Sequence, residues 1–203
     1  MDQRSDEKLL EAYRRGDLGA FRLLIERYQT DLLRFLTRLT GDRQSAEDVF
    51  QETFLQVHLF ADSFDTSRRF KPWVFTIAAN KARDLLRKKV RRQAVPLSAP
   101  VRGEAESGMS YVDLMEIDVP APDASLDDQE RDALVQKAVE AMSPPLREIL
   151  LLAYFQRLSY AQVAEELGIP LGTVKSRLHA AVASFAREWK RLTRESSARS
   201  ETS

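Results

Sequence analysis

The sequence predicts an all-α protein: two small helical domains joined by a flexible acidic linker, the second containing a helix-turn-helix. Three observations carry this. Apolar residues recur every three or four positions over most of the chain, and no segment reads as a strand. Residues suited to starting or stopping helices, among them Ser5, Asp17, Gly41, Ser143, Ser159 and Gly168, punctuate that rhythm. Charge sums to zero but is unevenly spread: residues 1–93 hold 19 basic and 14 acidic side chains, 94–130 hold 1 and 9, and 131–203 hold 11 and 8. The boundaries that follow are a first domain at 1–93, a linker at 94–126, a second domain at 127–192, and a tail at 193–203 expected to fray.

Ser5 caps a first helix carrying Leu9, Leu10, Ala12 and Tyr13, which stops near Gly16. Asp17 caps a longer one, with Phe21, Leu24, Ile25, Tyr28, Leu32, Phe35, Leu36 and Leu39 in helical register and Gly41 at its end. Ser45 with Asp48 resembles a capping box and opens a third helix. There Phe50, Phe54, Val57 and Ala61 face inward, and Asp48, Gln51, Glu52 and Gln56 outward, where solvation alone accounts for them. Residues 62–69 are polar and turn-prone, a loop with one exposed aromatic candidate, Phe64.

Pro72 is expected to start a fourth helix, running to about Lys89 with Trp73, Val74, Ile77, Ala78, Leu85 and Leu86 on its apolar side. From Arg68 to Arg92 there are ten Lys/Arg residues and a single acid, Asp84. Cations beside aromatic rings are what a single-strand-binding surface requires, each stacked base contributing about 1–3 kcal/mol. Yet the periodicity assigns Phe70, Trp73 and Phe75 first to a core, with Trp73 mostly buried.

The connector 94–130 holds four of the eight prolines and two glycines. As a random coil it spans about 35 Å, and pulled taut roughly 120 Å. Its inner segment, Tyr111 to Ile117, is apolar enough to dock.

The second half opens with a helix bearing Leu134, Val135, Ala138, Val139 and Met142. Ser143 and Pro144-Pro145 start the next, with Leu146, Ile149, Leu150, Ala153 and Tyr154 as its core face. Two further helices lie in 159–189, SYAQVAEELGIPLGTVKSRLHAAVASFAREW. Tyr160, Val163, Ala164 and Leu167 form one stripe, Gly168 and Pro170 the turn, and a second stripe runs from Leu171 through Val174, Leu178, Ala181, Val182, Phe185 and Trp189. Thr173, Lys175, Ser176, Arg177 and His179 lie off that stripe, placed to reach phosphates or base edges if the helix enters a major groove. An ordinary helical hairpin with a solvated polar face is the competing reading of this stretch.

The chain has no cysteine and only His58 and His179, so neither a metal centre nor a histidine-based catalytic site is expected, and no cofactor. The first ten residues lack a secretory signal, and no apolar run reaches the length of a membrane span; a cytoplasmic protein without membrane insertion is expected.

Taken together, the two halves resemble a bacterial sigma factor of the extracytoplasmic-function (ECF) class. AEDVFQETFLQVH (46–58) is similar to the segment of that family that grips the polymerase core. FKPWVFTIAANKARDLLRKK (70–89) is similar to its promoter-melting and minus-ten-reading segment. MSPPLREILLLAYFQRLSYAQVAEELGIPLGTVKSRL (142–178) is similar to its minus-thirty-five-reading module. The resemblance implies core RNA polymerase, promoter DNA and an anti-sigma factor wedged between the domains as partners, and no enzymatic activity. It implies polymerase contact for Asp48, Gln51, Glu52, Leu55 and Gln56. It implies capture of a flipped non-template base by 64–69, with Phe64, Arg68 and Arg69, and by Asn80, Lys81 and Arg83 on the following helix; extruding such a base costs a few kcal/mol and needs a snug pocket. Arg87, Lys88, Lys89, Arg91 and Arg92 would add salt-sensitive phosphate contacts. Thr173, Lys175, Ser176, Arg177 and His179 would read duplex DNA, although the family often has a second basic residue where this chain has His179-Ala180. The acidic linker is expected to occupy a basic channel of the polymerase.

The residues alone leave two other functions open: a polymerase-independent helix-turn-helix regulator, and an adaptor without DNA contact. An enzyme finds least support, since no nucleophile–base pair, phosphate loop or metal-ligand cluster is present.

Overall fold

The computed structural model describes residues 3–93 and 128–200, all of the regular structure helical. The linker and its segment Tyr111 to Ile117 lie outside the described residues. The first half comprises α1 (Asp6–Arg14), α2 (Leu18–Thr40), α3 (Arg43–Phe60), a 3₁₀ turn (Ala61–Ser63) and α4 (Phe70–Gln93). The second comprises α5 (Asp128–Glu140), α6 (Pro144–Leu150), a π turn (Leu151–Phe155), α7 (Tyr160–Leu167) and α8 (Leu171–Ser200).

Local chemistry sets most helix ends. The Ser5 hydroxyl accepts the Lys8 N–H at 3.3 Å and Asp17 Oδ1 accepts the Ala20 N–H at 3.1 Å. Gly41, at φ 88°, closes α2 in the left-handed region. The start of α3 departs from expectation: Asp42, not Ser45, is its cap, with Oδ1 accepting the Ser45 N–H at 2.7 Å. Ser45 is buried in the first turn instead and donates its hydroxyl to Asp42 Oδ2 at 2.8 Å. Lys89 from α4 ties the pair down, its ammonium 2.8 Å from Asp42 Oδ2 and 2.6 Å from Ser45 Oγ. Those hydrogen bonds, Lys89's first, pull the Asp42 carboxyl down to about 2.

α4 begins at Phe70, two residues before the expected start. Pro72 sits in the first turn, where a missing N–H has no helical partner to lose. The Phe70 N–H is taken by Glu7 Oε1 of α1 at 3.0 Å. Phe35 meets Phe75 edge-on at 5.2 Å and Tyr28 meets Phe70 at 5.5 Å, forming the centre of the first core. The Tyr28 hydroxyl donates to Asp6 Oδ2 at 2.5 Å; burial and that carboxylate push its pKa up.

In the second half, α6 runs into the π turn. One extra residue per turn breaks the three-and-four register, so Leu151 and Leu152 are buried while Tyr154, expected in the core, is 51% exposed. Tyr160 and Leu171, read as members of apolar stripes, are likewise exposed, each at the first residue of its helix. A capping box joins Ser159 and Gln162, and Gly168, at φ 63°, ends α7. α8 does not stop near residue 192: it continues through Ser200, with Trp189 and Leu192 packed on Leu134 and Ala138 of α5 and Arg191 bridging Glu188 and Glu195. The expected frayed tail is therefore helical over 193–200.

The halves pack against each other, and one buried cluster runs from Leu9 and Leu10 of α1 to Val182 of α8. The last turn of α2 docks on α5 and the π turn, and α4 docks on α7.

Candidate nucleic-acid interface

α4 presents the densest cationic surface of the first half. Arg69, Asn80, Arg87, Lys88 and Arg91 are exposed, and Lys81 and Lys89 are half-buried. The loop before it differs from expectation: Phe64 is 6% exposed, its ring 4.4 Å from that of Trp73 and edge-on to Phe70 at 6.2 Å. Phe64 covers one side of the Trp73 ring, and Trp73, expected to be mostly buried, is half-buried. The loop turns on itself: Asp65 Oδ1 accepts the Ser67 N–H at 2.9 Å, and the Arg68 N–H reaches the Asp65 carbonyl at 3.0 Å. The Ser67 hydrogen bonds hold the Asp65 carboxyl below the usual range.

On α3, Asp48, Gln51, Glu52 and Leu55 are exposed and Gln56 is half-buried. Two apolar neighbours were missed by the sequence reading: Leu59 is 64% and Phe60 49% exposed. Leu59 lies one turn beyond Leu55 on the same face, so a helical projection extended past Val57 finds it. Burying that face on a partner removes apolar area from water at about 25 cal/mol per Å².

In the helix-turn-helix, Val174 and Leu178 are buried and fix the rotation of α8. Ser176 and Arg177 are exposed, and Thr173, Lys175 and His179 half-buried. The Ser176 hydroxyl turns back to the Thr173 carbonyl at 3.2 Å.

Two arginines of the first half are engaged across the molecule. Arg68 pairs with Glu166 of α7 at 2.5 Å and Glu165 at 3.2 Å; Arg83 pairs with Glu148 of α6. In this arrangement each guanidinium has one terminal nitrogen engaged by carboxylates of the second half, which leaves fewer donors for a phosphate. Burial pushes the Glu166 carboxyl up even with Arg68 beside it, so this pair takes a cation away rather than cementing the contact. The contact is held elsewhere. Arg147 donates to the Leu39 carbonyl of α2 at 3.1 Å and to the Glu140 carbonyl of α5 at 2.5 Å, ending one helix from each half. Arg38 lies 4.5 Å from the centre of the Phe155 ring and 3.2 Å from Asp132. None of Arg38, Arg147, Glu148, Glu165 and Glu166 was singled out in the sequence.

Among the described residues there is no group of His, Asp and Glu able to hold a metal, and no helix long and apolar enough to cross a membrane.

Residues 24–92 match sigma-70 region 2 and residues 132–184 match sigma-70 region 4. The chain is 30% identical over 173 residues to the ECF RNA polymerase sigma factor SigW of Bacillus subtilis, which spans 85% of this chain and 90% of that protein. It is 31% identical over 195 residues to the RNA polymerase sigma-H factor of Pseudomonas aeruginosa, 96% of this chain and 99% of that one. Its fold is similar to that of the sigma factor RpoE bound to the anti-sigma factor NepR from Bartonella quintana, with a TM-score of 0.58 and 26% identity over 82% of this chain and 96% of that chain. CnrH, solved with the cytosolic domain of CnrY, shares the fold at a TM-score of 0.63 and 22% identity, over 91% of this chain and 96% of that one. With region 2 and region 4 in that order and relatives of 30% and 31% identity over most of its length, the chain belongs to the ECF class of bacterial RNA polymerase sigma factors.

Proposed function

We propose a division of labour within a sigma factor that directs promoter-specific initiation on core RNA polymerase. Residues 1–93 form the unit that binds the core and holds the opened non-template strand, 94–126 the linker, and 127–192 the unit that reads duplex DNA upstream. α3 meets the polymerase through Asp48, Gln51, Glu52, Leu55 and Gln56, extended by Leu59 and Phe60. The loop 64–69 and Asn80, Lys81 and Arg83 hold unpaired DNA, with phosphate contacts from Arg87 and Lys88. Phe64 acts from beneath, by propping Trp73, rather than by stacking on a base itself. Thr173, Lys175, Ser176, Arg177 and His179 face the major groove.

The observation that carries this reading is the face of α8: Val174 and Leu178 are buried while Ser176 and Arg177 point outward. Elements centred near minus ten and minus thirty-five lie about 85 Å apart along B-DNA at roughly 3.4 Å per base pair. Arg68 touches Glu165 and Glu166 of α7, so the packed halves hold the two surfaces side by side, and on this reading they part when the chain is mounted on polymerase, which frees Arg68 and Arg83. An anti-sigma partner belongs to the same reading, supported by the RpoE–NepR complex and by an apolar groove of about 490 Å³ between Leu86 of α4 and Pro144-Pro145 of α6. The chain itself carries no catalytic chemistry, and it works where the polymerase does, in the cytoplasm.

Transcription in vitro from a promoter library, with and without added chain, tests this together with a gel shift. Start-site selection that depends on the chain, and specific DNA binding only with core present, are expected. Tight specific duplex binding without core would overturn it in favour of an independent regulator.

A further inference from the structure

We infer that α1 is a positioning element for the strand-holding loop, with Arg14 and Glu7 as its two points of attachment. This rests on the assignment of residues 64–69 to strand capture and adds what fixes the shape of that loop. Glu7, Leu10 and Arg14 follow one another at spacings of three and four, on one face of α1. Leu10 is fully buried, and the two charged residues flank it.

Arg14 Nε donates to the Ala61 carbonyl at 2.6 Å, and one of its terminal nitrogens donates to the Phe64 carbonyl. These carbonyls bracket the 3₁₀ turn at the entry of the loop. A rigid planar fork satisfies both at once, which a lysine ammonium on a flexible stem does not. At the exit, Glu7 Oε1 accepts the Phe70 N–H at 3.0 Å. Burial works against the Glu7 carboxylate, but the Phe70 hydrogen bond and the nearby Arg69 cation keep its pKa below the usual value, so it stays an acceptor.

One helix therefore holds both ends of the loop, and that helix is itself fixed to α2. Asp6 accepts the Tyr28 hydroxyl at 2.5 Å and pairs with Arg27 at 2.7 Å. Between the attachments the chain exposes Asp65, Ser67 and Arg69 over the half-buried Trp73. A site that discriminates one extruded base from another must hold its geometry to about 0.5 Å, and irregular backbone reaches that only when neighbouring elements lock it. α1 also lies outside residues 24–92, the part that matches sigma-70 region 2, so that match gives it no role.

The test uses full-length chain assembled with core polymerase and single-stranded non-template oligonucleotides, in which the base at each opened position is varied in turn. In Arg14→Ala, the preference between the best and worst base is expected to fall about tenfold, as loss of a charge-assisted hydrogen bond implies. Affinity for core polymerase and for duplex upstream DNA should stay unchanged. Arg14→Lys, which retains the charge and the fold but not the second hydrogen bond, should fail to restore the preference. Glu7→Gln should weaken it several-fold. A full preference in both Arg14 variants overturns the inference, as does an equal loss for every base. Arg69→Ala separates this from failure of the underlying reading: if it too leaves all base preferences intact, the loop does not capture the strand. If Arg69→Ala abolishes preference and Arg14→Ala does not, only the role of α1 falls.

Discussion

The two DNA-facing surfaces use the same chemistry and are in opposite states. On α8, Arg177 and Ser176 stand clear of the rest of the molecule. Around α4, Arg68 is paired with Glu166 and Glu165, and Arg83 with Glu148. A cation already paired inside its own chain offers little long-range attraction to DNA. On the roles proposed above, the duplex-reading surface is available at once, and the strand-holding surface is complete only after the halves separate. That order matches the order of the task, since duplex must be found before strands are opened.

The largest effect is expected from reversing charge on the open side. Lys175→Glu with Arg177→Glu should reduce transcription from a cognate promoter at least about 100-fold through lost phosphate contacts, and flatten its salt dependence. Affinity for core polymerase should not change. Promoter output measured against a core-binding assay checks this, and equal losses in both would erase the distinction drawn here.

Next is Arg147→Ala, which strips donors from carbonyls of both halves and should cost about 2 kcal/mol, read as a lower Tm. Limited proteolysis should also cut the variant faster between the halves.

A smaller change tests the occupied side. Glu148→Gln with Glu166→Gln should raise binding of single-stranded DNA by free chain roughly three- to tenfold through freed phosphate contacts, by fluorescence anisotropy, and leave duplex binding as it was. No gain would mean that the arginines are not the limiting contacts.

The smallest concerns acid. Asp42 has its carboxyl lowered from 3.8 to about 2, so its contribution is complete above about pH 4 and lost as pH falls toward 2. Because the group is exposed, the amount is under about 1 kcal/mol. Asp42→Asn should remove that part of the acid limb of a pH–stability curve, leaving the interface around Glu166 untouched.

Which features were legible follows the range of the forces that set them. Ser5, Asp17, Gly41, Ser159 and Gly168 act within one turn, and their roles were readable from neighbours alone. Asp42 against Ser45 was not, because both are good cap residues three positions apart and only the bond from the Ser45 N–H to Asp42 shows which one caps. Tyr154 was misplaced for a different reason: periodicity assumes a constant turn, and the π turn inserts a residue. The polar face of α8 was legible from its complement, the buried Val174 and Leu178. The engagement of Arg68 and Arg83 was not, since Glu148 and Glu166 look in sequence like any solvated helix acids. Leu59 and Phe60 were not singled out, though one more turn beyond Leu55 on the same face reaches Leu59.

The guanidinium of Arg147 has a mechanical consequence. It serves as the stopper for α2 and for α5 together, one terminal nitrogen reaching the Leu39 carbonyl across the interface and the other the Glu140 carbonyl of its own half. Parting the halves strips the Leu39 carbonyl of its donor and leaves the Glu140 carbonyl capped, so a machine that opens the molecule must bring enough grip on α3 and α8 to offset that one loss.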